Sequence, residues 1–415
     1  MIRLARQAVG WTQHDLARRS GYSQATISRA ERGLTRAARD TTVLTDLAEA
    51  LGVPPAALGL AGDPDRRPIL DGVERREVLG GGVALAVSAL LPQGVARPGR
   101  IDAAGAAQCW TALRRLEELD AQQGGATVYQ MAEEMARRLQ DALRCGSYLP
   151  SVGSELQRVT AAAMEQAGWL AYDAGWPQRA RHWWLETCHL ADLASIPEAR
   201  VTALASMALQ ASDDPGRGAE TVALTQAART AADQATPVLL SLLAAREAIG
   251  HARSGDCAAA VSSIAEARRW LDQGRRGGEP FWLDFWGAAD LAWHETRTAL
   301  ATGNGKLAEI AARTALTSVD AEVWPRNHTL YAVRLGSLLT RLGQLDEAIA
   351  VTGDAMRRVD AVRGSGRIVS DLHHTVDLLG QQNYPQARTF AAAARRLLPA
   401  PTCQQAMILR WTGSR

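Results

Sequence analysis

Apolar positions in the first sixty residues recur at helical spacing: Leu4, Ala8 and Trp11, then Leu16 and Ala17, Ile27 and Ala30, and Leu44, Leu47, Ala48, Leu51 and Leu58, with short polar turns between the sets. That period predicts four or five short helices. From about residue 106 onward it continues through long stretches in which Pro is rare, so the expected fold class is all-α. Between Gly59 and Arg76 the density of Gly, Pro, Asp and Arg rises and the periodicity disappears, which marks a domain boundary. The expected organisation is a small head over 1–62, a linker with one apolar helix over 63–105, and a helical body over 106–415.

The sharpest local signal lies in the head. Thr12 is suited to cap a helix over Gln13 to Ser20, Gly21 supplies a left-handed turn residue, and Ser23 is suited to cap the next helix, which together predict a helix-turn-helix. In such a unit the second helix lies in the major groove of double-stranded DNA. Gln24, Ala25, Thr26, Ser28 and Arg29 fall on its outward face, while Ile27 and Ala30 turn to the core. Arg29 suits guanine, Gln24 adenine, and Ala25 a thymine methyl. The amides at Gln13, behind its cap Thr12, with Arg32, Arg36 and Arg39 beyond the recognition helix, suit phosphates.

The run W-T-Q-x-x-L-A-x-x-S-G-Y-S-Q-x-T-I-S-x-x-E-R-G, followed by L-A-E-A-L-G-V, closely resembles the Xre/Cro-like helix-turn-helix family. The resemblance implies DNA contacts from Gln13, Gln24, Ala25 and Arg29, and a structural ion pair between Arg6 and Glu31. It departs in a short first helix and a longer loop from Leu34 to Thr42.

The body repeats. A Gly or polar turn residue is followed five positions later by Ala at Gly175/Ala180, Gly255/Ala260, Gly303/Ala308 and Gly343/Ala348, with weaker copies at Asp214/Ala219 and Gln382/Ala387. These alanines stand 39, 41, 48, 40 and 39 residues apart, so one unit is two helices and their turns, a helical-hairpin solenoid. A second small residue seven positions on, at Ala267, Ala315, Ala355 and Ala394, extends the stripe along which the two helices cross; Thr187 and Gln226 interrupt it. The body resembles tetratricopeptide repeats with lengthened helices. With its head it resembles regulators common in actinomycetes, closest at Ala167 to Ala180, and in architecture the peptide-sensing regulators of other Gram-positive bacteria. That resemblance implies a sensor.

Aromatic residues cluster in two places, Trp169, Tyr172, Trp176, Trp183 and Trp184, and Phe281, Trp282, Phe285, Trp286 and Trp293. Of these, Trp169, Tyr172, Trp176, Trp282, Trp286 and Trp293 are the candidates for an effector site on the inner face of the repeats. Spacing of three to four residues is equally what a helical core needs, so both readings stand. Arg179, Arg181, His182, Arg297, His328 and Arg334 are able to anchor an anion, or to lie on a solvated face.

Charge sharpens the division. The formal net charge of +2 conceals eight arginines against Asp15 and Glu31 in residues 1–39, net +6, which leaves −4 for the remainder. A basic head on a mildly acidic body fits a polyanion partner at one end only. Cys109, Cys145, Cys188, Cys257 and Cys403 are odd in number and never in a C-x-x-C pair, which fits free thiols in a reducing cytosol. Arg75-Arg76 with the apolar run from Val78 to Leu91 imitates a twin-arginine export signal, but lies behind a whole domain and is too short to span a bilayer.

Catalytic and metal patterns fail. Gly303 to Lys306 lacks the glycine spacing of a phosphate loop, His294-Glu295 has no second His four residues on, and His373-His374 diverge on a helix. The expectation is a non-enzymatic, cytoplasmic, nucleoid-associated regulator without cofactor, metal or membrane. It is expected to bind a near-palindromic operator as a homodimer whose repeats sense a peptide or small molecule. The rival reading is a repeat-based interaction scaffold localised by its head.

Overall fold

The computed structural model describes residues 2–8, 10–32, 41–51, 87, 90–92, 95, 99–123, 125–232, 235–277, 279, 281–359 and 364–398. Among the described residues the chain is helical, and it divides into two compact units, 1–120 with 128–163, and 121–127 with 164–415. Most of the expected linker helix, the Arg75-Arg76 pair, Arg36, Arg39, Leu58 and Cys403 lie outside the described residues.

The head comprises α1 (Ile2–Ala8), α2 (Gln13–Ser20), α3 (Gln24–Arg32) and α4 (Thr41–Ala50). Its ends form as the sequence dictates. Thr12 Oγ1 accepts from the Asp15 N–H at 3.2 Å, while the Asp15 carboxylate accepts from the Thr12 N–H at 3.0 Å, a reciprocal capping box. Gly21 ends α2 at φ 75°, and Ser23 Oγ accepts from the Thr26 N–H at 3.2 Å to start α3. Ile2, Leu16, Ala17, Ile27, Ala30, Leu44, Leu47, Ala48 and Leu51 close one core, against which Trp11 and Tyr22 pack. Tyr22 donates to Asp46 Oδ2 at 2.6 Å and ties the turn to α4.

Two long helices follow, α5 (Ala103–Gln123) and α6 (Gly125–Cys145), with Trp110 Nε1 donating to Glu155 at 2.6 Å. Cys109 is buried and its thiol is pushed up to about 12 by desolvation, so it is an inert core residue.

Six helical hairpins then succeed one another: α7/α8 (Pro150–Asp173, Pro177–Ala194), α9/α10 (Pro197–Asp213, Gly218–Ala231), α11/α12 (Pro237–Arg253, Cys257–Asp272), α13/α14 (Ala288–Ala301, Gly305–Thr317), α15/α16 (Pro325–Arg341, Leu345–Arg357) and α17/α18 (Gly366–Gln381, Pro385–Leu397). In four of them the turn is the same device. Gly175, Gly255, Gly303 and Gly343 take φ of 82°, 83°, 78° and 77°. The next N–H returns to a carbonyl five residues back: Trp176 to Ala171, Asp256 to His251, Asn304 to Ala299 and Gln344 to Leu339, at 2.8–3.0 Å. Only glycine holds that backbone without strain, and the returning bond satisfies a carbonyl the helix end would orphan.

The small residues behave as the pattern predicts in most copies. Ala180, Ala260, Ala308, Ala348 and Ala387 are buried, as are Ala267, Ala315, Ala355 and Ala394. Thr187 continues the stripe: it is buried and returns its hydroxyl to the Trp183 carbonyl at 2.9 Å. The copy at Ala219 is corrected, because Ala219 is exposed and the buried stripe of α10 is Gly218, Thr221, Thr225 and Ala228. Thr221 therefore takes the place assigned to Ala219, and Ala228, seven positions on, replaces Gln226. The cause is the turn, in which Asp214 caps a short 3-10 segment, Pro215–Arg217, inserted before α10 begins. Gly218 then meets Gly250 of α11 so closely that a Cβ on Gly250 would stand 3.0 Å from the Gly218 carbonyl oxygen.

Candidate functional site

In the head, one relay runs from the core to the surface. Arg6 holds Glu31 through Nε to Oε1 at 2.6 Å and Nη2 to Oε2 at 3.1 Å, with side-chain exposures of only 9% and 3%. Its Nη1 donates to the Trp11 carbonyl at 2.6 Å. Glu31 also accepts from Gln13 Nε2 at 2.8 Å, which turns the Gln13 Oε1 outward to accept from Gln24 Nε2 at 2.6 Å. A buried ion pair thus fixes which way two surface amides face. Gln24 keeps its Oε1 and one N–H, the acceptor and donor edge that adenine complements.

Around Gln24 the α3 surface carries the expected residues. Ala25, Arg29 and Arg32 are exposed, Thr26 and Ser28 are half-buried, and Ile27 and Ala30 are in the core. Ser23 and Thr26 share a hydroxyl contact of 2.9 Å. Arg29 Nε rests on the Ala25 carbonyl at 3.1 Å and Arg32 Nε on the Ser28 carbonyl at 3.2 Å, both on their own helix, and among the described residues neither guanidinium pairs with an acid. Arg19, on α2, lies over the Trp11 ring at 4.2 Å.

The body gathers a second set of polar groups, all on or beside the first helices of successive hairpins. Asp173, at the end of α7, is fully buried and accepts from Arg326 at 3.1 Å, Arg367 at 3.1 Å and Ser365 at 2.8 Å. Asp213, at the end of α9, accepts from the Tyr172 hydroxyl and from Arg297 at 3.1 Å, and Arg297 also donates to the Ser212 carbonyl at 2.5 Å. Arg334 reaches Asp371 at 2.7 Å. Beneath them Ser206 donates to Glu165 at 3.0 Å, Tyr331 donates to Asp290 at 2.5 Å, and Arg246 donates to the Ala205 carbonyl.

Desolvation dominates the acid-base behaviour of this interior. It pushes Glu165 and Asp290 each up to about 7, drives His294 down to about 3, and lowers Arg246 to about 10. Arg297, Arg246 and Arg334 add to the effect on His294 by repulsion. Desolvation also opposes the charge on Arg367, yet Tyr172, Asp173 and Asp213 together raise its pKa.

The six aromatic candidates separate. Trp169 and Tyr172 lie under the Arg367 guanidinium at 5.3 and 4.5 Å, and Trp293 lies under Arg334 at 4.9 Å while stacking on Tyr331 at 6.0 Å. Trp286 is 2% exposed, donates to Ser241 at 3.1 Å and meets the His294 ring edge-on, which makes it core. Trp176 precedes α8 beneath Arg179, and Trp282 lies in the short turn Phe281–Leu283. Trp183 and Trp184 are buried. Of the proposed anion anchors, Arg297 and Arg334 fall in the network, whereas Arg181 pairs with Glu220 instead.

Sequence reasoning missed Asp173, Asp213, Arg246, Asp290 and Arg367. A signal existed at Arg246, a charge inside the apolar run Val238–Ile249 of α11. Among the described residues no cluster of three metal-binding side chains occurs, and no helix is long and apolar enough to cross a membrane.

A helix-turn-helix family model matches residues 2–58, the span of α1 to α4 and a few residues beyond. The match supports a DNA-binding transcriptional regulator. No curated protein matches the chain.

Proposed function

We infer that the chain is a sequence-specific transcriptional regulator whose α3 reads the major groove. The observation that carries this reading is the Arg6–Glu31–Gln13–Gln24 relay, which sets Gln24 beside exposed Ala25 and Arg29 on one helix face. Gln24 takes adenine, Arg29 guanine and Ala25 a thymine methyl, with Thr26 and Ser28 on the same base-facing side, while Gln13 with its cap Thr12, Ser23 and Arg32, with Arg36 and Arg39, set the register on phosphates. The chain acts in the cytoplasm on the nucleoid, as a homodimer on a near-palindromic operator, because one head spans only a half-site. The body, read as tetratricopeptide-like, supplies dimerisation and senses an effector that changes the spacing of the two heads. Its support is the convergence of Trp169, Tyr172 and Trp293 with the arginines of the inner face.

Sequencing the DNA retained by the purified full-length protein tests the reading. A recurring two-fold symmetric motif supports it, and retention of random sequence rejects it.

A further inference from the structure

The inner face of the body carries more positive charge than its partners neutralise. Arg297, Arg334 and Arg367 each bind a carboxylate, at Asp213, Asp371 and Asp173, whereas Arg246 is buried among them and among the described residues bonds only the Ala205 carbonyl, while burial favours the neutral forms of the nearby acids Glu165 and Asp290. Desolvation opposes the charge on Arg297 and on Arg246 most; Asp213 supports the first and Tyr172 the second, and Arg334 and Arg297 then repel them. Concentrating like charges in a poorly solvated place is unfavourable unless something of opposite sign occupies it.

The same region holds polar atoms with nothing to bond. Arg246 Nε, His294 Nε2 and Trp293 Nε1 are buried without a partner among the described residues, and Arg246 and His294 are 4% and 6% exposed. His294 Nδ1 faces the Asp290 carbonyl at 2.9 Å, so that nitrogen carries the proton and Nε2 is a bare acceptor. Native interiors leave few such groups, and each one points to a missing partner.

The region is also reachable. Asp213 keeps 43% of its side chain accessible, yet desolvation is the largest influence on its acidity, and Arg297, Arg334 and Arg367 from three other hairpins all act on it. An accessible group with protein on several sides lines a concavity. Its walls offer flat cationic surfaces, because the Arg334 and Arg367 guanidiniums lie over the Trp293 and Trp169 rings.

We propose that this concavity binds a small organic acid, its carboxylate or phosphate held by Arg297, Arg334 and Arg367 and its flat apolar part laid along the guanidinium planes that Trp169 and Trp293 back. The proposal rests on the effector-sensing reading above and narrows it to one chemistry. Arg246 and the Trp293 indole supply further donors to the acid, and His294 Nε2 accepts from a hydroxyl or amine of the same molecule. Cationic ligands are repelled.

The test uses the full-length protein and defined probes at matched ionic strength: 2-naphthoate, its neutral analogue 2-naphthamide, sodium phosphate and sodium chloride. The expected result is a saturable rise in Tm of about 3 °C with 2-naphthoate, a smaller rise with phosphate, and none with 2-naphthamide beyond the chloride control. Tryptophan fluorescence changes with 2-naphthoate over the same concentration range. In R297Q/R334Q the rise disappears while the far-ultraviolet circular dichroism stays native, and R334Q alone, at a partly exposed position, reduces it if the double variant does not fold. Equal shifts with naphthoate and naphthamide, or an undiminished naphthoate shift in R334Q, overturn the site. A phosphate shift as large as that with naphthoate overturns the stacking half of the proposal. DNA retention by the same wild-type sample separates the two readings, since a failed anion response with sequence-selective DNA binding intact rejects this site alone.

Discussion

The head and the inner face of the body both bury arginine against carboxylate, and they use it differently. In the head one cation meets one anion, Arg6 and Glu31, and the leftover acceptor capacity of Glu31 is spent on Gln13. The set is balanced, and its product is a fixed orientation at the surface. In the body Asp173 accepts from Arg326, Arg367 and Ser365 together, and buried Arg246 bonds no carboxylate among the described residues. The comparison teaches that a balanced buried pair is a scaffold, whereas an unbalanced set retains charge for a further interaction.

The largest effect expected from breaking this contrast is Glu31→Ala. It strands Arg6 in the core of the head and costs about 3–5 kcal/mol, so thermal melting should show an early head transition together with loss of DNA retention. Asp173→Asn should follow at about 2–3 kcal/mol, since Arg326 and Arg367 lose their shared charge but keep a hydrogen-bonding group. Its signature is a lower body transition with DNA retention intact; a simultaneous loss of both would contradict the independence of the two sets.

The protonation of the inner face gives a third test. Folding holds Glu165 up at about 7 from an ordinary 4.5, so the folded chain keeps a proton that the unfolded chain releases, and stability is lost as pH rises through that interval. His294 acts oppositely: held at about 3 from 6.5, it costs stability as pH falls below 6.5, because only the unfolded chain takes up the proton. Asp290 shares the direction of Glu165. Glu165→Gln isolates one of these contributions, and its Tm should gain on the wild type between pH 5 and pH 7.5 by roughly one proton of linkage. A difference that stays flat across that range would mean that Glu165 is ionised in the folded chain.

Arg29→Ala should leave melting unchanged and lose about 1–3 kcal/mol of affinity at a single base pair of the operator, read by competition between operator variants. The smallest expected effect is Ala219→Leu, within about 0.5 kcal/mol of wild type, against about 1–3 kcal/mol lost for Thr221→Leu at the true crossing position.

Legibility in the sequence followed the range of the interaction. Caps and turns depend on three or four neighbouring residues, so Thr12, Gly21, Ser23 and the four left-handed glycines were readable from spacing alone. The phase of α10 was misread by two residues because Asp214 to Arg217 looks like the other turns in composition but inserts a 3-10 segment. The charged set of the inner face was not readable, since it joins Asp173 to residues 153, 192 and 194 positions away. No local pattern encodes that separation. The aromatic candidates divide because spacings of three to four suit both roles: Trp286 is buried in the core, whereas Trp293 lies beneath Arg334.

A row of hairpins that touch only their neighbours unfolds piecemeal, because opening one costs little more than its own two interfaces. Asp173 changes that arithmetic by fastening the first hairpin to the fifth and sixth. An array fastened across its length has no free end from which to fray. It should therefore melt in one cooperative step and fold slowly, waiting on a contact that closes nearly two hundred residues of chain.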